Sequence, residues 1–210
     1  QGLTQVSHAV SALVVPAASP FRSVADLVAA ARAEPGRLNY LRPGNGSFAH
    51  MATEILQRAQ AIRLTAVDYR GLPPGVVDLI AGRLDVAVLA EGLAAPHVRE
   101  GRLRALAAVG TTRALALPDL PTLGEQGIAG ADVDSWYVAI APRGLPDSVL
   151  ARISEAWSRV LTRATVQERL RGVGTVPAAP MTPAATQALL AREYATYAAL
   201  LREANIRADG

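Results

Sequence analysis

The chain has 210 residues, 50% of them hydrophobic and 19% charged, with no cysteine. That length supports a stable core without disulfides or a structural metal, and the composition excludes disorder, thiol catalysis and Cys-ligated zinc. All 21 basic residues are arginine, which excludes Schiff-base chemistry and a P-loop lysine, and the net charge of +3 comes from arginines spread along the chain without the aromatic platforms of a nucleic-acid surface. Strand-like and helix-like segments alternate, the pattern of an α/β fold with a mainly parallel sheet. The first predicted strand is Ala12 to Val15, stopped by Pro16. Ser23 then reads as a helix N-cap with Asp26 at the capping-box position, and Val24, Leu27, Val28 and Ala31 follow at helical spacing. Pro35 and Gly36 end that helix.

Leu38 to Leu41 is a short strand, followed by the turn Pro43-Gly44-Asn45-Gly46. A helix from Ser47 to Ala59 comes next, with Met51, Ile55, Leu56 and Ala59 expected inward. Leu64 to Val67 is a strand, and Pro73-Pro74 opens a helix that Gly82 stops. Leu84 to Leu89 and Leu103 to Val109 are two further strands. Residues Thr111 to Gly130 read as a long connection with one helical turn from Thr122. Trp136 to Ala141 is a strand. Helices over Asp147 to Arg163 and Val166 to Arg171, a short strand near Val176 and a long helix from Pro183 to Ala204 complete the chain. The regular middle and the helix-rich end suggest two lobes.

The loop Pro43 to Ser47 joins a strand end to a helix start, where unpaired amides and the positive end of the helix dipole suit a carboxylate or phosphate. Gly44 and Gly46 let the backbone approach a ligand, and the Ser47 hydroxyl adds a donor. The same residues also suit a plain tight turn with Ser47 as cap. Asp68-Tyr69-Arg70-Gly71 repeats the arrangement: Tyr69 offers a hydroxyl or a flat wall and Arg70 a bidentate partner for an anion, against the alternative of a half-buried Tyr and a solvated Arg. Parallel strands would place both loops on one edge of the sheet. His8, His50 and His97 show no metal-binding spacing. His50, on the first turn of its helix, suits donation to a ligand, capping or a satisfied core position. Asp132 and Asp134 suit an acid pair or a solvated loop, and Trp136 a core or cleft-wall position.

Leu13-Val14-Val15-Pro16, Ser23-Val24-Ala25-Asp26-Leu27, Pro35-Gly36-Arg37-Leu38-Asn39-Tyr40, Pro43 to Ser47 with His50, and Tyr69-Arg70-Gly71 follow in an order that resembles the Bug receptors, the TctC-like solute-binding proteins of tripartite tricarboxylate transporters. Pro96-His97-Val98, Gly101 to Ala107, Leu117-Pro118-Asp119-Leu120-Pro121-Thr122 and Trp136 before Ala141-Pro142 extend the likeness over almost the whole chain.

The resemblance implies a type-II periplasmic binding protein fold of two α/β lobes that close on a small organic carboxylate or amino acid and present it to membrane transporter components, without enzymatic activity, cofactor, metal or nucleic acid. Residues 16–140 correspond to the second lobe, and residues 1–15 and 141–210 to what remains of an incomplete first lobe; the family's signal peptide and opening strands are expected to be missing. It implies ligand contacts at Gly44, Asn45, Gly46, Ser47, Ala49 and His50, then at Tyr69, Arg70 and Gly71. After the strand ending near Val88 the family often has an acidic or amide residue. Here Leu89 and Ala90 precede Glu91; the apolar pair favours a less polar ligand, and an inward Glu91 one bearing an amine or hydroxyl. The alternatives are a sensor presenting its liganded form to a signalling partner, and a small hydrolase using Ser47 and His50, which lacks an orienting acid.

Overall fold

The computed structural model describes residues 1–131, 133–172 and 174–203; Asp132 and the expected helix end at Ala204 lie outside the described residues. In chain order the elements are β1 (Gly2–Ala9), β2 (Ser11–Pro16), α1 (Val24–Ala33), β3 (Asn39–Arg42), α2 (Phe48–Gln60), β4 (Thr65–Asp68), α3 (Leu72–Ile80), β5 (Ala87–Ala90), α4 (Glu91–Arg99), β6 (Leu103–Val109), β7 (Ser135–Ile140), α5 (Asp147–Leu161), α6 (Ala164–Gly172), β8 (Val176–Pro177) and α7 (Pro183–Glu203). No helix among the described residues is long and apolar enough to cross a membrane. The chain divides into two compact units, one of Gln1–Ala9 with Ser135–Leu200 and the other built on Val10–Asp134. Both divisions fall slightly earlier in sequence than the expected limits at residues 16 and 140.

In the larger unit β2 pairs antiparallel with β5 and with β6, while β3 and β4 pair in parallel. A parallel bridge between Tyr40 and Val86 joins the two groups. The expectation of a mainly parallel sheet therefore holds for β3, β4 and β5 and fails at β2. That strand is buried along its whole length, and a continuous apolar run is compatible with either direction. Its side chains alternate between faces: Leu13 and Val15 join the cluster that holds Leu27 of α1 and Leu56 of α2, and Ala12 and Val14 join the one that holds Val76 and Leu79 of α3. The sheet is thus covered on both faces, which leaves the ends of its strands and their loops uncovered by those helices.

Local signals set the helix limits. The Asp26 N–H donates to Ser23 Oγ at 3.1 Å and the Ser23 N–H to Asp26 Oδ2 at 3.0 Å, a reciprocal cap on α1. Thr122 and Glu125 form a second such pair in the long connection, where Thr122 N–H donates to Glu125 Oε2 at 2.8 Å and Glu125 N–H to Thr122 Oγ1 at 3.0 Å. The segment between β2 and α1 is tied down by Arg104 of β6, whose guanidinium donates to the carbonyls of Ala17, Ser19 and Phe21 at 2.8, 3.0 and 3.0 Å.

One expectation is corrected, and two elements are unforeseen. The buried face of α2 is Ala49, His50, Ala52, Thr53, Leu56 and Gln57, whereas Ala59 is exposed and Met51 and Ile55 are half-buried; the apolar stripe misleads because polar groups with fixed partners occupy the inner face. Helix α4 is unforeseen because Pro96 lies inside it and reads as a breaker. Strand β1 is unforeseen because Thr4, Gln5, Ser7 and His8 break its apolar alternation, yet it is the central strand of the smaller unit, paired antiparallel with β7 and β8. Trp136 lies on β7 in that unit, half-buried, and its indole N–H donates to Glu193 Oε2 at 3.0 Å.

Candidate functional site

Strands β3 and β4 run in parallel with Arg42 opposite Asp68, so their C-terminal ends lie together. Arg42 fastens them: its Nε donates to Asp68 Oδ1 at 2.5 Å and its Nη2 to Oδ2 at 2.7 Å. The guanidinium holds the Asp68 carboxyl below the usual carboxylate range. The Tyr69 N–H donates to the Arg42 carbonyl at 2.9 Å. Loops 43–47 and 69–71 therefore leave the same edge of the sheet, the position where open α/β sheets receive ligands.

In the first loop Gly46 has φ +71°, and no atom stands within 4 Å of a β-carbon placed on it. Glycine is required there by backbone conformation and not by crowding, and open space lies beside it. Ser47 caps α2, its Oγ accepting from the His50 N–H at 3.4 Å. The N–H groups of Phe48 and Ala49 belong to the first turn, so they have no intrahelical acceptor and carry the positive end of the helix dipole. Gly44, Asn45 and Ser47 are half-buried around them, and Gly46 is exposed.

Two expected contacts stand differently. The Gly46 N–H does not face outward; it donates to His50 Nδ1 at 3.0 Å. The His50 ring is only 3% exposed, so the residue is a core support of the loop and offers no donor at its surface. Because Nδ1 accepts, the ring proton is on Nε2, 3.8 Å from Glu54 Oε1. The same Glu54 oxygen accepts from Tyr40 Oη at 3.2 Å and from Gln57 Nε2 at 2.6 Å. Gln57 Oε1 in turn accepts from the Leu64 N–H at 2.6 Å. Tyr40 stacks on His50 with ring centroids 6.4 Å apart. Burial pushes the His50 pKa down, with Glu54 opposing, and pushes the Tyr40 phenol up. Both are neutral near pH 7.

The second loop is chemically different from the first. Tyr69 does not offer its hydroxyl to the edge: Oη donates to Asp78 Oδ2 at 2.7 Å, and Arg83 Nη1 donates to Asp78 Oδ1 at 2.6 Å. The hydrogen bond to Asp78 raises the Tyr69 phenol and lowers the Asp78 carboxyl. Arg70 is exposed, and Gly71, at φ +93°, precedes α3. That helix begins Leu72-Pro73-Pro74; proline has no N–H, so this start presents fewer donors than α2. Glu91, at the start of α4 after β5, is 1% exposed. Neither of its carboxylate oxygens closes a hydrogen bond, although the Leu115 and Ala116 amides are turned toward it. Burial raises its pKa.

Sequence reasoning misses the Arg42–Asp68 clamp and the role of Glu54. The His50–Glu54 separation of one helical turn is the signal that points to the second; nothing local marks the first, because it depends on strand register.

The sequence pattern of the family described as "Tripartite tricarboxylate transporter family receptor", TctC, matches residues 1–206. A UPF0065 protein from the tcbD-tcbE intergenic region of Pseudomonas sp. (strain P51) is 36% identical over 173 residues, covering 81% of this chain and 52% of that protein. The chain thus spans about half the length of the curated relatives it matches. Among solved structures, Rpa4515 of R. palustris, determined with adipate, is 28% identical with a TM-score of 0.83, covering 99% of this chain and 69% of that one. MatC from Rhodopseudomonas palustris, with bound malate, is 25% identical with a TM-score of 0.78, covering 95% of this chain and 69% of that one. The periplasmic binding protein BugD shares the fold, with a TM-score of 0.80 at 22% identity, over 99% of this chain and 70% of that one. From the mixed α/β architecture, the glycine loop before α2 and the match along residues 1–206, the chain belongs to the tripartite tricarboxylate transporter receptor family.

Proposed function

We propose that this chain is a solute-binding receptor of the periplasm that captures a small organic carboxylate and delivers it to the membrane components of a tripartite tricarboxylate-type transporter. The unit built on Val10–Asp134 is read as the lobe that holds the carboxylate. The observation that carries the reading is the start of α2: open space at Gly46, the Ser47 hydroxyl and the first-turn amides of Phe48 and Ala49 beside the joined ends of β3 and β4. An anion there meets oriented N–H donors without needing a cation. Adipate in Rpa4515 and malate in MatC support a carboxylate as the ligand class. Gly44, Asn45, Gly46, Ser47 and Ala49 form the seat, Arg70 and Gly71 flank it, and His50 and Tyr69 support it from behind. Glu91 is read as a selectivity residue deeper on the same edge.

A receptor makes and breaks no bond, and no cofactor is needed. The hydrolytic alternative is disfavoured by the position of His50: its Nδ1 is taken by Gly46, and Ser47 Oγ meets its backbone N–H, not its ring. Three charge-assisted hydrogen bonds of about 1.5–3 kcal/mol each, less an association cost of about 4 kcal/mol or more, correspond to millimolar affinity for this seat alone. Titration calorimetry with adipate and with malate tests the reading. Weak saturable binding that Ser47→Ala weakens about three- to tenfold supports it; identical heats for the two proteins, or none for either acid, would count against it.

A further inference from the structure

We propose that His50 is the positioning residue of this anion seat, and that the seat keeps its geometry only while the His50 ring is neutral. The inference rests on the receptor reading for its functional consequence, but its structural half stands independently. The Gly46 N–H is held inward by Nδ1 at 3.0 Å, and this bond fixes the turn in the left-handed conformation from which Ser47 enters α2. A proton on Nδ1 would set one donor against another. At 3% exposure the ring has almost no contact with water that could take the second proton's hydrogen bond, so the turn must open, and the Ser47 hydroxyl and first-turn amides lose their common direction.

The groups that face His50 set when this happens. Glu54 lies on its own helix, Tyr40 and Arg42 come from β3, and Asp68 comes from β4. Strand β5, also packed against α2, brings only Ala87, Val88, Leu89 and Ala90. Burial and Arg42 oppose the proton; Glu54 and Asp68 favour it. The net displacement is downward from the ordinary histidine value of 6.5, so the ring is neutral at pH 7 and takes its proton only in more acidic surroundings.

Asparagine separates positioning from bulk. In His50→Asn, Oδ1 replaces Nδ1 as acceptor and does not titrate; in His50→Ala the acceptor is gone. Amide hydrogen exchange at Gly46, followed by NMR on the ligand-free protein between pH 8 and pH 5, reads the bond itself after correction for intrinsic exchange. The expected result is protection that falls about three- to tenfold on acidification in the parent protein, stays flat in His50→Asn and is low throughout in His50→Ala. Adipate affinity over the same range should fall more steeply for the parent than for His50→Asn, the titration of adipate being common to both. Protection that ignores pH in the parent, or that changes equally in His50→Asn, overturns the inference; should His50→Ala not fold, those two comparisons still decide it. A Gly46 amide that follows His50 while adipate binds neither protein upholds the positioning role and counts against the receptor reading alone.

Discussion

Arg42 and Asp68 meet through two parallel hydrogen bonds at the point where β3 and β4 end. The pair lies partly in solvent, Asp68 being 65% exposed at its side chain, so its contribution to global stability is small, about 0–1 kcal/mol. Its effect is local, because the Tyr69 N–H also depends on Arg42. Asp68→Asn should leave the melting temperature nearly unchanged and speed amide exchange at Tyr69; an unfolding midpoint lowered by many degrees would show the pair to be structural in a wider sense.

Gly75 lets α3 approach the sheet. A β-carbon there would stand 2.4 Å from Leu41 Cδ1 and 3.2 Å from the Tyr69 ring, and Leu41 is fully buried. Alanine in a helix is otherwise favoured over glycine by about 1 kcal/mol, while overpacking costs about 1–3 kcal/mol. Gly75→Ala is therefore expected to destabilise the chain, read as a lower denaturation midpoint. A raised midpoint would mean that Leu41 yields at little cost.

The buried carboxyl of Glu91 predicts an unusual pH dependence. Its pKa is raised from 4.5, so the folded chain keeps a proton that the unfolded chain releases. The contribution of this group is full below pH 4.5 and declines as the pH rises through and above that value. Glu91→Gln removes the ionisation while keeping the shape, and should gain about 1–3 kcal/mol at pH 7 and close to nothing at pH 4. Denaturant unfolding of both proteins at the two pH values checks this; equal stabilities at pH 7 would show that the Leu115 and Ala116 amides compensate the carboxylate.

Arg104 satisfies three carbonyls between β2 and α1. Replacing it with methionine keeps much of the side-chain volume and removes every donor, at an expected cost of about 2–4 kcal/mol. Limited proteolysis at Arg22 should accelerate in parallel. A variant with parental stability and unaltered cleavage would show the clamp to be dispensable.

The elements that local chemistry specifies were legible in the sequence. Ser23 with Asp26, and Ser47 before Phe48, mark helix starts by side-chain chemistry that acts within three residues. The glycine loop and its place on a strand-to-helix junction were legible for the same reason. What long-range pairing decides was not: the direction of β2, the existence of β1, and the meeting of Arg42 with Asp68. Tyr69 and His50 illustrate the limit within the site itself. Tyr69 lies in the expected loop and His50 on the expected first turn of α2, but their polar atoms are engaged by Asp78 and Gly46, partners that follow from tertiary packing and the course of the turn.

Pro73 and Pro74 remove two donors from the helix start that follows Gly71, so of the two helix starts at this edge only that of α2 offers a full set of first-turn amides. On the proposed receptor reading, a diacid is anchored at the α2 amides by one terminus only. Discrimination between shorter and longer diacids must then arise from whatever meets the far end, and altering Ser47 should penalise acids of every chain length alike.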